Sequence, residues 1–410
     1  MSVFDRRPEL LHLLLFLLIC TVAFFRANLE DFYEEEVYVR GEIVGDMLQE
    51  GEYIQTKIRI TESEIEDIEG RKALLKVYGH LPTEARHISL IGDVRVTSNR
   101  VFIYASSQDV EIMRVEKSLR DFLMERYINN SKDRETTSLG LSFLFGQERE
   151  LLPSDVQRDF LKTGLVHLLV ISGLHIGIIA FLLSYMLPRF WGLKLALVGV
   201  LLYSLLIVPA EPPVVRATLM AVLFILSLLS FQPPNSLSIL LFSGTLILIA
   251  FPHFVFSYSF WLSFVATAYI FLSLKDFEGG RWLKTLLASL SAFTGVSPLI
   301  GTFSGISPIS VLLTPLLSPI VMLYSFMGIL SLVTLMSFPP FVDIFNLAGR
   351  VFRGAVELLS GLSFEIYPSL GNTEAVLVVA LGAGALYFLK GYSKLAPLLS
   401  INAYMLIRSF

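Results

Sequence analysis

Residues 162–178 read KTGLVHLLVISGLHIGI and place a serine, two histidines and three glycines within an apolar run. A spanning helix needs about 20 apolar residues to cross a hydrocarbon layer of ~30 Å. Polar groups are costly in lipid and normally face a bundle interior, a partner helix or a water-filled path. Glycine lets a helix break, and broken backbone is tolerated where it lines a cavity. We therefore predict a discontinuous, hydrated helix here.

Apolar runs recur along the sequence, and 54% of its 410 residues are hydrophobic. Ordinary soluble domains lie near ~45–50%. A further run, residues 10–25 (LLHLLLFLLICTVAFF), has no small-residue cleavage site after it and predicts an uncleaved anchor. It contains the single cysteine, Cys20, which excludes an intrachain disulfide. We predict a polytopic α-helical membrane protein with spans beginning near Thr163, Gly192, Pro213, Ser236, Phe256, Trp282, Ser307, Thr373 and Leu395.

Residues 30–118 break the apolar pattern. Stretches such as YIQTKIRI and DVRVTSNRVFIYA are short, rich in Val and Ile, and bounded by turn residues, which predicts a small all-β domain of five or six strands, plausibly a barrel. The window holds 19 acidic and 11 basic residues, a net charge of −8. A domain that grips phosphates usually has a basic surface. Net charge therefore argues against nucleic-acid binding here and favours a module that shapes an entrance.

Excess Lys and Arg in short loops marks the cytoplasmic side of a membrane protein. Arg6 and Arg7 place the N-terminus inside and the β domain outside, and the loops near residues 189–194 and 275–284 then fall inside. The basic pair at 390 and 394 also fits inside, provided that residues 300–373 cross an even number of times. The single Pro-broken run at 307–336 leaves two solutions, a re-entrant segment or a further crossing. Residues 119–163 are predicted to form amphipathic helices along the membrane surface or against the β domain.

The polar residues of the opening stretch have several interpretations. In one continuous helix, His167 and His175 would lie about 80° and 12 Å apart, so they do not easily share a metal, and no metal or other cofactor is predicted. Gly173 and Gly177 form a G-x-x-x-G pair that alternatively lets another helix approach closely. Ser172 with a histidine from another helix would suit an intramembrane serine protease, although Val170 stands two residues before it, unlike the rhomboid-like motif.

Three further polar or aromatic features stand out. Arg216 follows Glu211 and two prolines, and can pair with that carboxylate or meet phosphates. Three aromatics near the start of one span form either an interfacial belt or a stacking surface for bases: Phe260, Trp261 and Phe264. A polar stripe faces water with internal Arg350–Asp343 and Arg353–Glu357 pairs, or lines a channel; it consists of Asp343, Asn346, Arg350, Arg353 and Glu357.

Several of these segments resemble one family. Residues 143–179, FLFGQERELLPSDVQRDFLKTGLVHLLVISGLHIGII, resemble the signature of ComEC-type competence proteins, with its T-G-L-x-H-L step and I-S-G-L-H core. PPVVRATLM (212–220) is similar to the family's R-A-x-x-M segment, and FSYSFWLSFVATAYI (256–270) resembles F-x-L-S-F-x-A, with Trp261 where glutamine is common. The acidic β module resembles the family's extracellular OB-like domain. The resemblance covers roughly residues 30–336.

The resemblance implies an inner-membrane channel that passes single-stranded DNA into the cytoplasm during natural transformation. Nothing here resembles the H-x-H-x-D-H motif of the metallo-β-lactamase-like domain of many relatives, which indicates a short form. No phosphate-loop motif occurs either, so the expected partners, besides single-stranded DNA and membrane lipid, are a separate cytoplasmic motor ATPase, a DNA receptor and a separate nuclease. The chain itself is predicted not to be an enzyme. A transporter or flippase of another substrate is the alternative.

The predicted organisation is an anchor (1–29), an extracellular OB-like domain (30–118), bridging helices (119–163) and a multi-span channel domain (164–410). The residues predicted to line the DNA path are Lys162, His167, Ser172, Gly173, His175, Arg216, Phe260, Trp261 and Phe264.

Overall fold

A computed structural model of the chain describes residues 8–44, 47–51, 53–79, 81, 87–97, 99–113, 118–131, 133–146, 152–169, 171 and 173–409. The strands are β1 (Phe32–Ile43), β2 (Leu48–Glu50), β3 (Tyr53–Ser63), β4 (Lys72–Tyr78), β5 (His87–Thr97), β6 (Arg100–Ser106) and β7 (Val110–Ile112). The helices are α1 (Pro8–Ala27), α2 (Leu119–Asn130), α3 (Arg134–Phe145), α4 (Ser154–Thr163), α5 (Gly173–Met186), α6 (Arg189–Leu206), α7 (Pro212–Leu229), α8 (Ser236–Ala250), α9 (Tyr258–Leu274), α10 (Arg281–Ile300), α11 (Ser310–Val333), α12 (Pro339–Ser360), α13 (Asn372–Phe388) and α14 (Leu395–Ile407).

The β domain is a small closed barrel. Its strands follow the order β1-β3-β4-β6-β5, and β5 pairs back with β1 to close the sheet. β4 and β6 run parallel, and the other pairs in this circuit are antiparallel. Alternate residues such as Ile58, Leu75 and Ile103 fill the interior, which is why these strands alternate apolar and polar residues in sequence. This topology agrees with the predicted OB-like barrel.

The remaining described chain is mostly helical. Six helical stretches are long and apolar enough to cross a membrane: Glu9–Ala27, Val166–Met186, Arg189–Leu206, Pro212–Leu229, Arg281–Ile300 and Ser310–Val333. Three shorter apolar helices, α8, α9 and α13, accompany them. Every one of these nine stretches begins within a few residues of a predicted start. The pattern agrees with the predicted polytopic membrane protein.

One end of the bundle carries the barrel. The Arg71 guanidinium donates to the carbonyl oxygen of Ala27 at the end of α1, with an Nη2–O distance of 2.6 Å. Glu211, just before α7, accepts a hydrogen bond from Arg59 of the barrel. The turn at 252–256, which joins α8 to α9, places His253 against Gly70 of the barrel. We call this the barrel end.

The opposite end gathers the basic loops. Lys275, after α9, forms an ion pair with Glu9 at the start of α1, with an Nζ–Oε1 distance of 3.3 Å. The Lys394 ammonium donates to the carbonyl oxygen of Leu272 at 2.5 Å and also to that of Lys275. The basic loops around 275 and 394 therefore share one end, as the loop-charge argument required.

The segment that the sequence left open is a helical hairpin. α11 and α12 pack against each other, and beyond them Ile306 and Ile366 form a two-way backbone bridge with N–O distances of 2.9 Å. The chain therefore returns to the end from which α11 departs. This gives residues 300–373 an even number of passes and removes the conflict over the basic pair at 390 and 394.

The helices between the barrel and the first broken span are only partly at a surface, because α2 and α4 each keep an exposed face but α3 does not. α3 is buried along most of its length, with Phe143 and Phe145 both 0% exposed. The Tyr127 hydroxyl of α2 donates to Asn346 Oδ1 on α12 at 2.8 Å. The predicted surface position is therefore wrong for α3, which packs against α11 and α12. α2 packs against α12 and also reaches the barrel through Arg120, whose Nη1 lies 3.8 Å from Glu42 Oε1.

Candidate nucleic-acid interface

A cavity of about 810 Å³ lies between the barrel and the helical bundle. Its barrel side is formed by outward-facing residues of β3, β4 and β6. Its bundle side is formed by the stretch between α4 and α5 and by the starts of α7 and α9. The volume falls in the upper part of the ~300–1,000 Å³ range of ligand pockets, so the cavity accommodates more than a solvent molecule or an ion.

The barrel side of the cavity is cationic. Lys57, Lys72 and Arg100 line it, whereas Glu211 is its one acidic member among the described residues. Glu211 Oε1 lies 2.6 Å from Arg59 Nη2 and 3.1 Å from Lys72 Nζ, so two cations already neutralise it. Sequence reasoning missed this group.

Strand register explains why these cations lie together. Arg59 faces Lys72 across β3 and β4, and Arg100 precedes Val101, which pairs with Ala73 beside Lys72. The three side chains therefore form a row across adjacent strands, because residues at matching register positions share a face. The next row along the same face holds Lys57, Leu74 and Phe102.

The same outward face continues away from the cavity with cations and aromatic rings. Lys76 Nζ lies 4.7 Å from the centroid of the Tyr53 ring, and that ring is 5.7 Å from the ring of Tyr78. Across the face, Arg95 of β5 pairs with Phe102, and Asp93 with Tyr104. Positive charge interleaved with aromatic rings is the composition of surfaces that bind single strands.

The net charge of −8 was therefore a poor guide to this surface. Six of the domain's eleven basic residues stand on the outward face of β3, β4, β6 and β5: Lys57, Arg59, Lys72, Lys76, Arg95 and Arg100. Acidic residues cluster elsewhere, at the start of β1 and around the 3-10 turn after β3, in residues 34–36 and 62–69. The prediction of an acidic surface on this domain is therefore wrong for this face.

The floor of the cavity is the predicted break in the helix. α4 ends at Gly164, which has a φ of +69°, and only three residues, Val166–Leu168, then form a 3-10 turn before α5 begins at Gly173. A Cβ at Gly164 would stand 3.0 Å from Ser310 Cβ, so both conformation and space favour glycine. Val166, Leu169 and Ile171 line the cavity. The predicted discontinuity is present, and its backbone borders a cavity as such breaks require.

The G-x-x-x-G pair does not bring two helices together. No atom lies within 4 Å of a Cβ built on Gly177, and at Gly173 the nearest atoms, Arg216 Nη2 and Ala217 Cβ, are both 3.9 Å away. Close helix packing would place a neighbouring backbone against these glycines. Their face of α5 is exposed instead, which argues against the packing interpretation.

The two histidines of the opening stretch have different surroundings. His167 is exposed; its Nδ1 lies 3.1 Å from the Gly164 carbonyl oxygen and its Nε2 lies 3.5 Å from Thr314 Oγ1. His175 is 1% exposed, and its ring packs edge-on against Phe143 with centroids 4.4 Å apart. His175 is thus a core residue here rather than a lining residue of a hydrated path.

Lys162, another predicted path residue, lies outside the cavity lining. Lys162 is exposed on the last turn of α4, and its neighbour Leu161 borders the cavity in its place. Ser172 lies outside the described residues, so the serine protease alternative receives no geometry from this structure.

Arg216 is not paired with Glu211. Its Nη1 donates to the Ser263 carbonyl oxygen at 2.5 Å and to the Thr267 hydroxyl, both on α9. Its Nε is buried and has no hydrogen-bond partner. No carboxylate among the described residues forms an ion pair with it, and the guanidinium stands between α5, α7 and α9.

The aromatic trio forms part of the core. Phe260 and Phe264 are 1% and 4% exposed, and the Phe264 ring stacks on Phe16 of α1 at a centroid distance of 4.9 Å. The half-buried Trp261 donates from Nε1 to the Val255 carbonyl oxygen at 2.7 Å. This packing differs from both the interfacial belt and the open stacking surface, because α1 covers the rings.

The polar stripe of α12 binds neighbouring helices instead of itself. Arg353 forms ion pairs with Glu135 of α3 and with Asp155 of α4, the latter at an Nη2–Oδ2 distance of 3.2 Å. The expected Arg353–Glu357 pair is therefore wrong. Asn346 and Arg353 are the members of the stripe that bind α2, α3 and α4. Asp343, Arg350 and Glu357 are exposed, as the water-facing interpretation predicted.

A titratable contact joins the barrel to the bundle. Burial, followed by the nearby charge of Arg71, lowers the pKa of His253 to about 4. The neutral imidazole is therefore the form that fits against Gly70 at neutral pH.

Comparisons with known proteins agree with the observed organisation. A protein-family model described as Competence protein matches residues 143–394. The chain is 47% identical over 400 residues to an uncharacterized protein of Aquifex aeolicus (strain VF5), covering 97% of each chain. It is 26% identical over 285 residues to ComE operon protein 3 of Bacillus subtilis (strain 168), a match that covers 66% of this chain and 35% of that relative. No solved structure matches.

Proposed function

Because the chain belongs to the competence protein family, we propose that it forms an inner-membrane channel through which single-stranded DNA enters the cytoplasm during natural transformation. The observation that carries the proposal is the cavity of about 810 Å³ with a cationic row on one wall and a broken helix as its floor. A polyanion needs positive charge at the mouth and a path through helices that do not close against each other.

The outward face of β3, β4, β6 and β5 supports a route into this cavity. Single-strand binding surfaces combine a basic groove for the backbone with rings for the bases. Tyr53, Tyr78 and Phe102 supply rings on this face, and Phe102 reaches the cavity itself. Single-stranded DNA that binds along this face therefore reaches the cationic row of the cavity.

The proposed direction of entry follows from the distribution of basic loops. Those near 275–284 and 390–394 share the end away from the barrel, and excess Lys and Arg favours the cytoplasmic side. The barrel then stands outside. Labelling single cysteines with a membrane-impermeant maleimide in a Cys20→Ser background tests this, because Gln108→Cys on the barrel should react in intact cells and Glu278→Cys only after lysis. If Glu278→Cys reacted in intact cells and Gln108→Cys only after lysis, the barrel would lie on the cytoplasmic side and the proposed orientation would be wrong.

We propose that the chain is a conduit and that the motor, the DNA receptor and any nuclease are separate proteins. The decisive experiment measures nuclease-protected labelled DNA in cells that depend on this chain for transformation, with membrane levels checked in parallel. Lys57→Ala/Arg100→Ala removes two cavity cations and should sharply reduce entry. Arg40→Ala/Arg126→Ala removes the same charge away from the cavity and should leave entry near normal.

Two results would count against the proposal. Normal entry in the Lys57→Ala/Arg100→Ala cells would show that the cavity is not on the DNA route. Equal losses in both double variants would show that only total charge matters. A transporter or flippase of another substrate, the alternative from sequence, predicts no salt-sensitive binding of single strands by the purified protein.

A further inference from the structure

Among the described residues, no carboxylate compensates the charge of Arg216. Ionisable residues in spanning helices normally pair with one another or line a substrate path. Arg353, another half-buried arginine of the helices, follows the first pattern with two carboxylates. Arg216 has only neutral acceptors among the described residues, and its Nε is buried without a partner.

Arg216 lies directly beyond the cavity. Pro213 borders the cavity, and Arg216 follows three residues later on the same side of α7, about 4.5 Å further along the axis. Ser259 also borders the cavity, and Ser263, which accepts from Arg216, lies one turn further along α9. The guanidinium therefore stands one helical turn below the floor.

The space beside Arg216 is open. Arg216 Nη2 faces Gly173, the first residue of α5, and one turn further along α5 nothing approaches the Cβ position of Gly177. A larger side chain at either position would occupy this space. Gly173 and Gly177 are both exposed, and Arg216 Nη2 lies beside the first of them. We call this exposed face of α5, next to the guanidinium, the glycine groove.

We infer that Arg216 and the glycine groove form a second binding site, which takes one phosphate diester of the strand after it leaves the cavity. This inference rests on the proposed function and adds to it a second DNA-binding site, further inside the bundle. Nη2, which faces Gly173, can donate a charge-assisted hydrogen bond to a phosphate oxygen, whereas a lysine ammonium acts as a point charge. The passing phosphate supplies a negative charge that no described carboxylate supplies.

The first test separates binding from structure with Arg216→Met and Arg216→Lys. Methionine removes the charge but leaves no orphan carboxylate, and the Ser263 carbonyl oxygen still accepts from the Thr267 hydroxyl at 2.9 Å. We expect Arg216→Met to keep or raise the thermal midpoint of the purified chain while DNA entry falls by about tenfold or more, the equivalent of one charge-assisted contact. Arg216→Lys should retain part of the entry.

The salt dependence of oligonucleotide binding gives a readout that a structural role would not move. Loss of one phosphate contact should lower the slope of log K against log salt by ~0.7 for a single strand. We expect this decrease for Arg216→Met with a dye-labelled oligothymidylate and the full-length chain in detergent. A lower thermal midpoint with an unchanged slope would overturn the inference and make Arg216 a packing residue.

A matched pair of glycine substitutions tests the groove without touching any charge. Gly177→Leu and Gly384→Leu both place a side chain where no atom lies within 4 Å, and both replace a helical glycine. Both proteins should therefore fold. Gly177→Leu should block DNA entry, whereas Gly384→Leu on α13 should not.

The combined results separate this inference from the proposed function. If Lys57→Ala/Arg100→Ala blocks entry while Arg216→Met and Gly177→Leu leave it normal, the channel stands and the inner site is wrong. If all of these variants import DNA normally, both are wrong.

Discussion

Removing Arg100 should weaken single-strand binding in a way that can be calculated from its surroundings. Arg100 lines the cavity, is exposed, and forms no ion pair or side-chain hydrogen bond with any described residue. Its replacement by alanine therefore leaves no partner unsatisfied in the protein. The whole effect of Arg100→Ala should fall on the ligand.

The magnitude follows from one lost phosphate contact. A hydrogen bond to a charged group is worth ~1.5–3 kcal/mol, and exposure to solvent favours the lower end or less, so we take about 1–1.5 kcal/mol. That corresponds to roughly five- to tenfold in affinity. The slope of log K against log salt should decrease by ~0.7, the value for one phosphate on a single strand.

The assay is fluorescence anisotropy of a labelled oligothymidylate with the full-length chain in detergent, between about 50 and 200 mM salt. Arg40→Ala is the matched control, since Arg40 also lies on the barrel but pairs with Glu62 at an Nη1–Oε2 distance of 3.2 Å and does not line the cavity. Arg40→Ala should leave the slope unchanged. Equal slopes for the two variants would refute the argument that the cavity wall binds the backbone.

Three further perturbations test other parts of the structure. Glu211→Gln removes a carboxylate that competes with phosphate for two cations, so oligonucleotide affinity should rise a few-fold while stability falls by about 1 kcal/mol; weaker binding would contradict this. The folded-state pKa of His253 lies near 4, below its ordinary value of 6.5, so its contribution to stability is complete above pH 6.5 and is lost as the pH falls toward 4. The thermal midpoint should therefore decline over that range, and His253→Asn should make the decline less steep. An equally steep decline in His253→Asn would show that the contact does not contribute. Gly244→Ala sets a methyl 2.4 Å from Phe264 Cζ and should cost about 1–3 kcal/mol, measured as a lower thermal midpoint, whereas Gly384→Ala should cost nothing.

Features that depend on local periodicity were predictable from the sequence. The alternation in YIQTKIRI and DVRVTSNRVFIYA gave the barrel, and the glycine and polar content of residues 162–178 gave the break between α4 and α5. Both signals lie within about a dozen residues. Each is read from the chemistry of neighbouring side chains.

Features that depend on register or distant pairing were not predictable. Net charge averages over all faces of a domain, so it hid a row that exists only because Lys72 of β4 stands beside Arg59 of β3 and Arg100 of β6. Arg353 likewise has a carboxylate four residues ahead in sequence, yet it binds Glu135, which a one-dimensional pattern cannot identify. Helix packing brings Glu135 and Asp155, which are distant in sequence, next to Arg353.

The packing of α1 imposes an order on how the protein is made. Phe16 of α1 packs beside Gly244 of α8 and stacks against Phe264 of α9. About 230 residues must be synthesised after Phe16 before Gly244, the earlier of these two partners, exists, and at ~5–20 residues per second this takes roughly 10–50 seconds. During that interval the first helix resides in the bilayer without its permanent neighbours, and Glu9 is without Lys275. The insertion machinery or transient lipid contacts must shelter it, so slowing translation of the middle of the gene should expose α1 to membrane proteases before the bundle closes.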